Sequence, residues 1–248
     1  MQLIYKWLIG DMGNPGDYQY QAMHLYCVII VLAVTALTTW AGATKRLPPK
    51  TKDNILAGIC WFQIAFEVLW RLIYLFVKKD SILCWWPTYP CNLNGILIPV
   101  IALCNWKTGK KLFYLFGFVG GVLTFALPDN IFTSDIMVFP IVKSILQHTG
   151  LLMIPLFEFA TGSYRPSIKH MGWVMAGLLV HLVNCEGIVR LLGFWEDYMF
   201  LRSGMPFVIP GVPQFITLSV FSLLVLALLS LASDWANKKA ANESEVLP

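Results

Sequence analysis

Residues 18–44 read YQYQAMHLYCVIIVLAVTALTTWAGAT, with no Asp, Glu, Lys or Arg among them. About 20 apolar residues suffice for a helix to cross the hydrocarbon core of a bilayer. A helix apolar on every face has no solvent side, so this stretch reads as a membrane span. Six further stretches are mainly apolar: 81–106, 112–128 and 203–233 without charge, 54–77 with Glu67 and Arg71, 136–164 with Lys143 and Glu158, and 170–195 with Glu186 and Arg190. The composition agrees. Of 248 residues, 57% are apolar and 13% charged, with a mean hydropathy of +0.65, whereas a soluble domain is about 25% charged. Disorder is excluded and a soluble globular fold is disfavoured. The net charge of +4 is scattered and forms no nucleic-acid surface.

In lipid each segment must satisfy its own backbone, so the expected fold is an all-α polytopic bundle of seven transmembrane helices. Proline-rich connections support these boundaries: RLPPK at 46–50, WPTYP at 86–90 and FVIPGVP at 207–213. Residues 1–17 read as an interfacial segment anchored by Tyr5 and Trp7, 18–234 as the membrane domain, and 235–248 as a cytosolic tail. MQLIYKWLIG lacks the small-residue cleavage site of a signal peptide. The basic residues set the orientation. Lys45, Arg46, Lys50, Lys52, Lys107, Lys110, Lys111, Arg165, Lys169, Lys238 and Lys239 fall on one side; Lys6, Lys78, Lys79 and Arg202 fall on the other. The N-terminus is therefore expected outside and the C-terminus in the cytosol.

An ionisable group inside a span costs at least a few kcal/mol and needs a reason. Glu67 and Arg71 are four apart, as are Glu186 and Arg190, and Glu precedes Arg in both, the favourable order on a helix. They read either as self-neutralising pairs or as groups that handle ions or catalysis. Depth along the helices puts Cys91, Asn92 and Asn94 in the outer half with Lys143, Ser144 and His148, which suggests a polar cavity there. A Cys beside a His is a competent nucleophile pair, and Ser144, four residues before His148, is a rival nucleophile. Gln63, His181 and Asn184 are expected to add hydrogen bonds, and His24 and His170 to lie at the interface. Cys84 and Cys91 fall on the same outer side, within reach of a disulfide. No Cys/His spacing points to a metal site, and no cofactor motif is present. The last span has no lysine, which sets aside a retinal receptor.

Four stretches, taken in order, resemble a known family: WPTYPCNLNGILIPVIAL at 86–103, LPD at 127–129, FPIVKSILQHTGLLMIPL at 139–156 and DYMFLRSGMP at 197–206. They are similar to the YwaF-like integral membrane proteins, which belong with the vertebrate transmembrane protein 164 family. Cys91, Pro128–Asp129 and His148 match that family's Cys, Pro-Asp and His; Asp197 stands where it usually has Asn. The resemblance implies a seven-helix fold and acyl transfer between glycerophospholipids, with Cys91 as nucleophile and His148 as its base. The partner would be a phospholipid or lysophospholipid in a bacterial cytoplasmic membrane. Asn92, Asn94 and Lys143 are then candidate oxyanion donors, and Asp129 a candidate for orienting the imidazole. A proton-coupled transporter, suited by Glu67, Arg71, Glu186, Arg190, Lys143 and His148, and a non-catalytic scaffold are the competing readings.

Overall fold

Proline fixes the helix starts. Pro49 opens α3 (Pro49–Ile73), Pro90 opens α4 (Pro90–Leu103), and Pro140 lies in the first turn of α6 (Phe139–Thr161). At these positions its missing N–H costs nothing. Left-handed glycines end two helices: Gly10 (φ 82°) after α1 (Gln2–Ile9) and Gly162 (φ 78°) after α6. The remaining helices are α2 (Ala22–Ala43), α5 (Lys107–Ala126), α7 (Met171–Leu182) and α8 (Gln214–Val246). The computed structural model describes residues 1–78, 86–128, 131–195, 212 and 214–246. Cys84, Asp129 and Asp197 lie outside these residues.

The described residues are helical, apart from loops and one isolated bridge between Pro15 and Ser134. Among the described residues four helical stretches are long and apolar enough to cross a membrane: Ala22–Ala43, Pro49–Val77, Phe139–Thr161 and Ile168–Leu191. Their surfaces fit lipid. Leu25, Ile29, Leu32 and Leu37 of α2 all stand exposed. α6 is the exception, buried on most sides against α2, α3, α4 and α5; an all-round apolar helix of this kind belongs at the centre of a bundle.

Three boundaries differ from expectation. The helix expected over 81–106 is α4, with only 14 residues, ~21 Å against a hydrocarbon core of ~30 Å. Pro90 holds Tyr89 extended before the helix, and Asn105 takes a positive φ of 47° just past its end. α5 starts at Lys107 rather than 112, so Lys110 and Lys111 ride on a helix instead of a loop. The chain after 235 continues helical within α8. Two helices also carry π segments, Tyr74–Lys78 continuing α3 and Val183–Ile188 continuing α7 into Val189–Leu191. Such segments often sit at functional sites.

The N-terminal segment is strapped onto the loop before α6. The Trp7 indole donates to Met137 O (2.8 Å) and packs on Phe139. The Ser134 hydroxyl donates to Met12 O, and Asn14 donates from its main-chain N and its Nδ2 to the two Asp135 oxygens, 2.7 Å each. These bonds hold the Asp135 carboxyl below the usual aspartate range. A carboxyl lowered by folding contributes stability above its unfolded pKa and loses it as pH falls through the folded value. Protection of the Asn14 amide from hydrogen exchange should therefore drop in acid below about pH 4, and Asp135→Ala should remove it at neutral pH.

Candidate functional site

Three helices aim polar side chains at one buried point. α3 supplies Gln63, Glu67 and Arg71, one turn apart and all buried. α4 supplies Cys91, Asn92 and Asn94 from its first turns. α6 supplies Lys143 and Gln147, again one turn apart. Glu67 accepts from Arg71 Nη1 at 2.6 Å and faces Lys143 Nζ at 3.5 Å. Lys143 donates to Asn92 Oδ1 (3.0 Å) and to Gln147 Oε1, and Gln147 Nε2 donates to Cys91 O. The ammonium also lies 5.5 Å from the Trp70 ring centroid. Gly95 makes room for this convergence: a methyl there would lie 2.9 Å from Gln147 Nε2 and 3.2 Å from Glu67 Oε1.

Cys91 carries a free, half-buried thiol at the second residue of α4. The first N–H groups of a helix have no intrahelical acceptor, and the helix dipole is positive there. Lys143 donates to Asn92 and Gln147, while Glu67 Oε1 stands 3.5 Å away without a hydrogen bond among the described residues. Its bond to Asn92 Oδ1 also orients that amide. With Oδ1 held by Lys143, the amide nitrogen of Asn92 is left as a donor beside Cys91. Asn94 is buried against Gly117, and its Oδ1 has no hydrogen bond among the described residues.

His148 lies one position past Gln147, on a different face of α6. Its Nδ1 is 2.7 Å from Ser144 O and its ring packs edge-on to Phe125 of α5. A carbonyl only accepts, so Nδ1 carries the proton and Nε2 is the basic atom. Ser144 Oγ, 3.4 Å from that same Nδ1, thus has no base there, which removes support for the serine alternative. Among the described residues no hydrogen bond joins Cys91 to the His148 ring.

The 86–89 segment leading into Cys91 is held by the π segment of α7. The Trp86 indole donates to Asn184 Oδ1 (2.8 Å), Asn184 Nδ2 donates to Pro87 O (2.8 Å), and the Cys185 thiol donates to Thr88 O (3.2 Å). Nothing in the periodicity of 170–195 marks Cys185 for this task. Asn184→Ala should cost about 1–3 kcal/mol, the penalty for orphaning buried groups, and should loosen the start of α4, read as faster labelling of Cys91 by a thiol reagent. Glu186 and Arg190 form a bidentate pair at 2.7 and 2.8 Å on the same helix.

Three further expectations change. His24 is buried rather than interfacial: Nδ1 accepts from Tyr20 N (2.9 Å) and Nε2 donates to Phe125 O (3.0 Å), tying α2 to α5. His181 makes no hydrogen bond among the described residues and stacks on Phe116 instead. Lys110, expected in a cytosolic loop, is buried, donating to Glu158 Oε1 (2.6 Å) and Asn105 Oδ1 (2.7 Å). The only sequence signal for that pair was a carboxylate in the fifth span that needed a cation.

No curated protein and no solved structure matched the chain. The sequence model of the TMEM164 family matches residues 18–232, a range that takes in all of the helices that build this cluster, and the chain belongs to that family.

Proposed function

We propose that this protein is a seven-span membrane enzyme, N-terminus outside, that moves an acyl chain between glycerophospholipids through Cys91. The observation that carries this reading is the setting of Cys91: a free thiol at a helix N-terminus, beside an Asn92 amide oriented by Lys143. In the proposed reaction Cys91 Sγ attacks the ester carbonyl while its proton passes to His148 Nε2. The C–S bond forms as the ester C–O bond breaks, and the lysolipid oxygen leaves with the proton from Nε2. A second lipid hydroxyl then attacks the thioester, giving its proton to Nε2, and the sulfur leaves as thiol once that proton returns. The N–H groups at the start of α4 and the Asn92 amide stabilise the two oxyanions. Because the resting Cys91 and His148 are not hydrogen-bonded, the transfer runs through one bridging water or after a side-chain rotation on substrate entry.

The test is reconstitution in vesicles containing a phospholipid with an isotopically labelled acyl chain and an unlabelled lysolipid. Wild type should move label to the lysolipid, and Cys91→Ala should abolish the transfer. Transfer that survives in Cys91→Ala defeats the proposal. Two buried acid–lysine contacts along α6, Lys143 with Glu67 and Lys110 with Glu158, favour a proton-coupled transporter as the second reading. A transporter leaves the acyl chains where they were.

A further inference from the structure

A second site lies toward the other end of the bundle. A cavity of about 330 Å³ opens between α5, α6, the 162–167 turn and α8, a volume at the small end of the ~300–1,000 Å³ typical of ligand pockets. Phe118, Leu156, Phe159 and Leu229 form apolar walls, and Arg165 and Ser233 belong to its polar end. Phe159 lies eleven residues beyond His148 on α6, ~16 Å along the helix axis, so the cavity is separate from the Cys91 cluster.

Charge selects the occupant. Arg165 is exposed and has no ion pair among the described residues. Lys107, Lys111 and Lys169 occupy the same end of the bundle. The nearby carboxylate, Asp234, already accepts from Ser167 Oγ and Ile168 N at 3.0 Å each. A soluble anion gains nothing from four apolar walls, an uncharged lipid brings no anion to the guanidinium, and a zwitterionic lipid brings its own cation toward a basic surface. We propose that this cavity binds an anionic phospholipid, its acyl chain against Phe118, Leu156, Phe159 and Leu229 and its phosphate on Arg165. Basic pockets between membrane helices hold anionic head groups in this way, and guanidinium and phosphate match as a bidentate pair.

The experiment uses the full chain in phosphatidylcholine vesicles with or without phosphatidylglycerol, extracted in detergent and weighed by native mass spectrometry. Wild type should retain phosphatidylglycerol in preference to phosphatidylcholine, and inorganic phosphate should not displace it. Arg165→Glu should cut the retained fraction about tenfold or more, the loss expected for a charged hydrogen bond. Leu229→Trp, which fills the apolar side, should cut it too, while both variants keep the wild-type melting temperature in phosphatidylcholine alone. Equal retention of the two lipids, retention unchanged in Arg165→Glu, or displacement by inorganic phosphate overturns the proposal. The outcome does not depend on acyl transfer at Cys91.

Discussion

Glu67→Ala should destabilise the protein by about 3–5 kcal/mol, the usual result of removing one partner from a buried ion pair. Glu67 is 2% exposed and is the carboxylate that faces both Arg71 and Lys143. Without it Lys143 keeps only amide oxygens, in surroundings where water cannot replace the lost charge. Chemical unfolding in micelles should show the loss as a shifted midpoint. The variant Glu67→Leu/Arg71→Leu/Lys143→Met should recover part of it, because these three side chains then bring no charge into the interior. Acyl transfer should not recover with it, since Asn92 then has nothing to hold its amide. A single variant that unfolds like wild type would show that the cluster is hydrated enough to screen its charges.

Lys110→Met should have a comparable cost, about 3–5 kcal/mol, with a different functional result. Lys110 and Glu158 are each 2% exposed, 2.6 Å apart, and join the start of α5 to the end of α6. The Glu158 Oε2 already lacks a hydrogen bond among the described residues, so losing the lysine leaves a carboxylate with no compensation from Oε1 either. Lys110→Met/Glu158→Leu should restore the midpoint, and the difference between double and single variants measures the coupling. Because this pair is remote from Cys91 along α6, the folded fraction of Lys110→Met should keep wild-type transfer per molecule. A specific loss of transfer would tie Lys110 to the chemistry instead.

These two ion pairs also mark how far the sequence could be read. Glu67–Arg71 and Glu186–Arg190 were legible because four residues of helix place both partners on one face whatever the rest of the chain does. Lys143 with Glu67 and Lys110 with Glu158 were not, because each depends on how one helix is rotated against another, and apolar runs that face both lipid and neighbours carry little rotational signal. The same blindness hid Gln147, whose amide joins Lys143 to Cys91, and misplaced Lys110 in a loop. The length of α4 was overestimated because an absence of charge says nothing about where Pro90 starts a helix or where Asn105 follows its end. The all-helical character survived these errors, since it rests on long apolar stretches rather than on single positions.

The strap across the N-terminal end bears on how the chain is made. The contact between Asn14 and Asp135 spans 121 residues and that between Trp7 and Met137 spans 130. At ~5–20 residues per second the ribosome needs on the order of 6–24 s to deliver the second half of each pair. For that interval α1, which has no buried residue of its own, can pack on the π segment Tyr74–Lys78 but lacks the loop and helix on its other side. The strap therefore closes only after α2 to α5 have been synthesised. Pulse-labelled nascent chains arrested before residue 131 should leave residues 7–14 open to protease, and chains released after α6 should protect them.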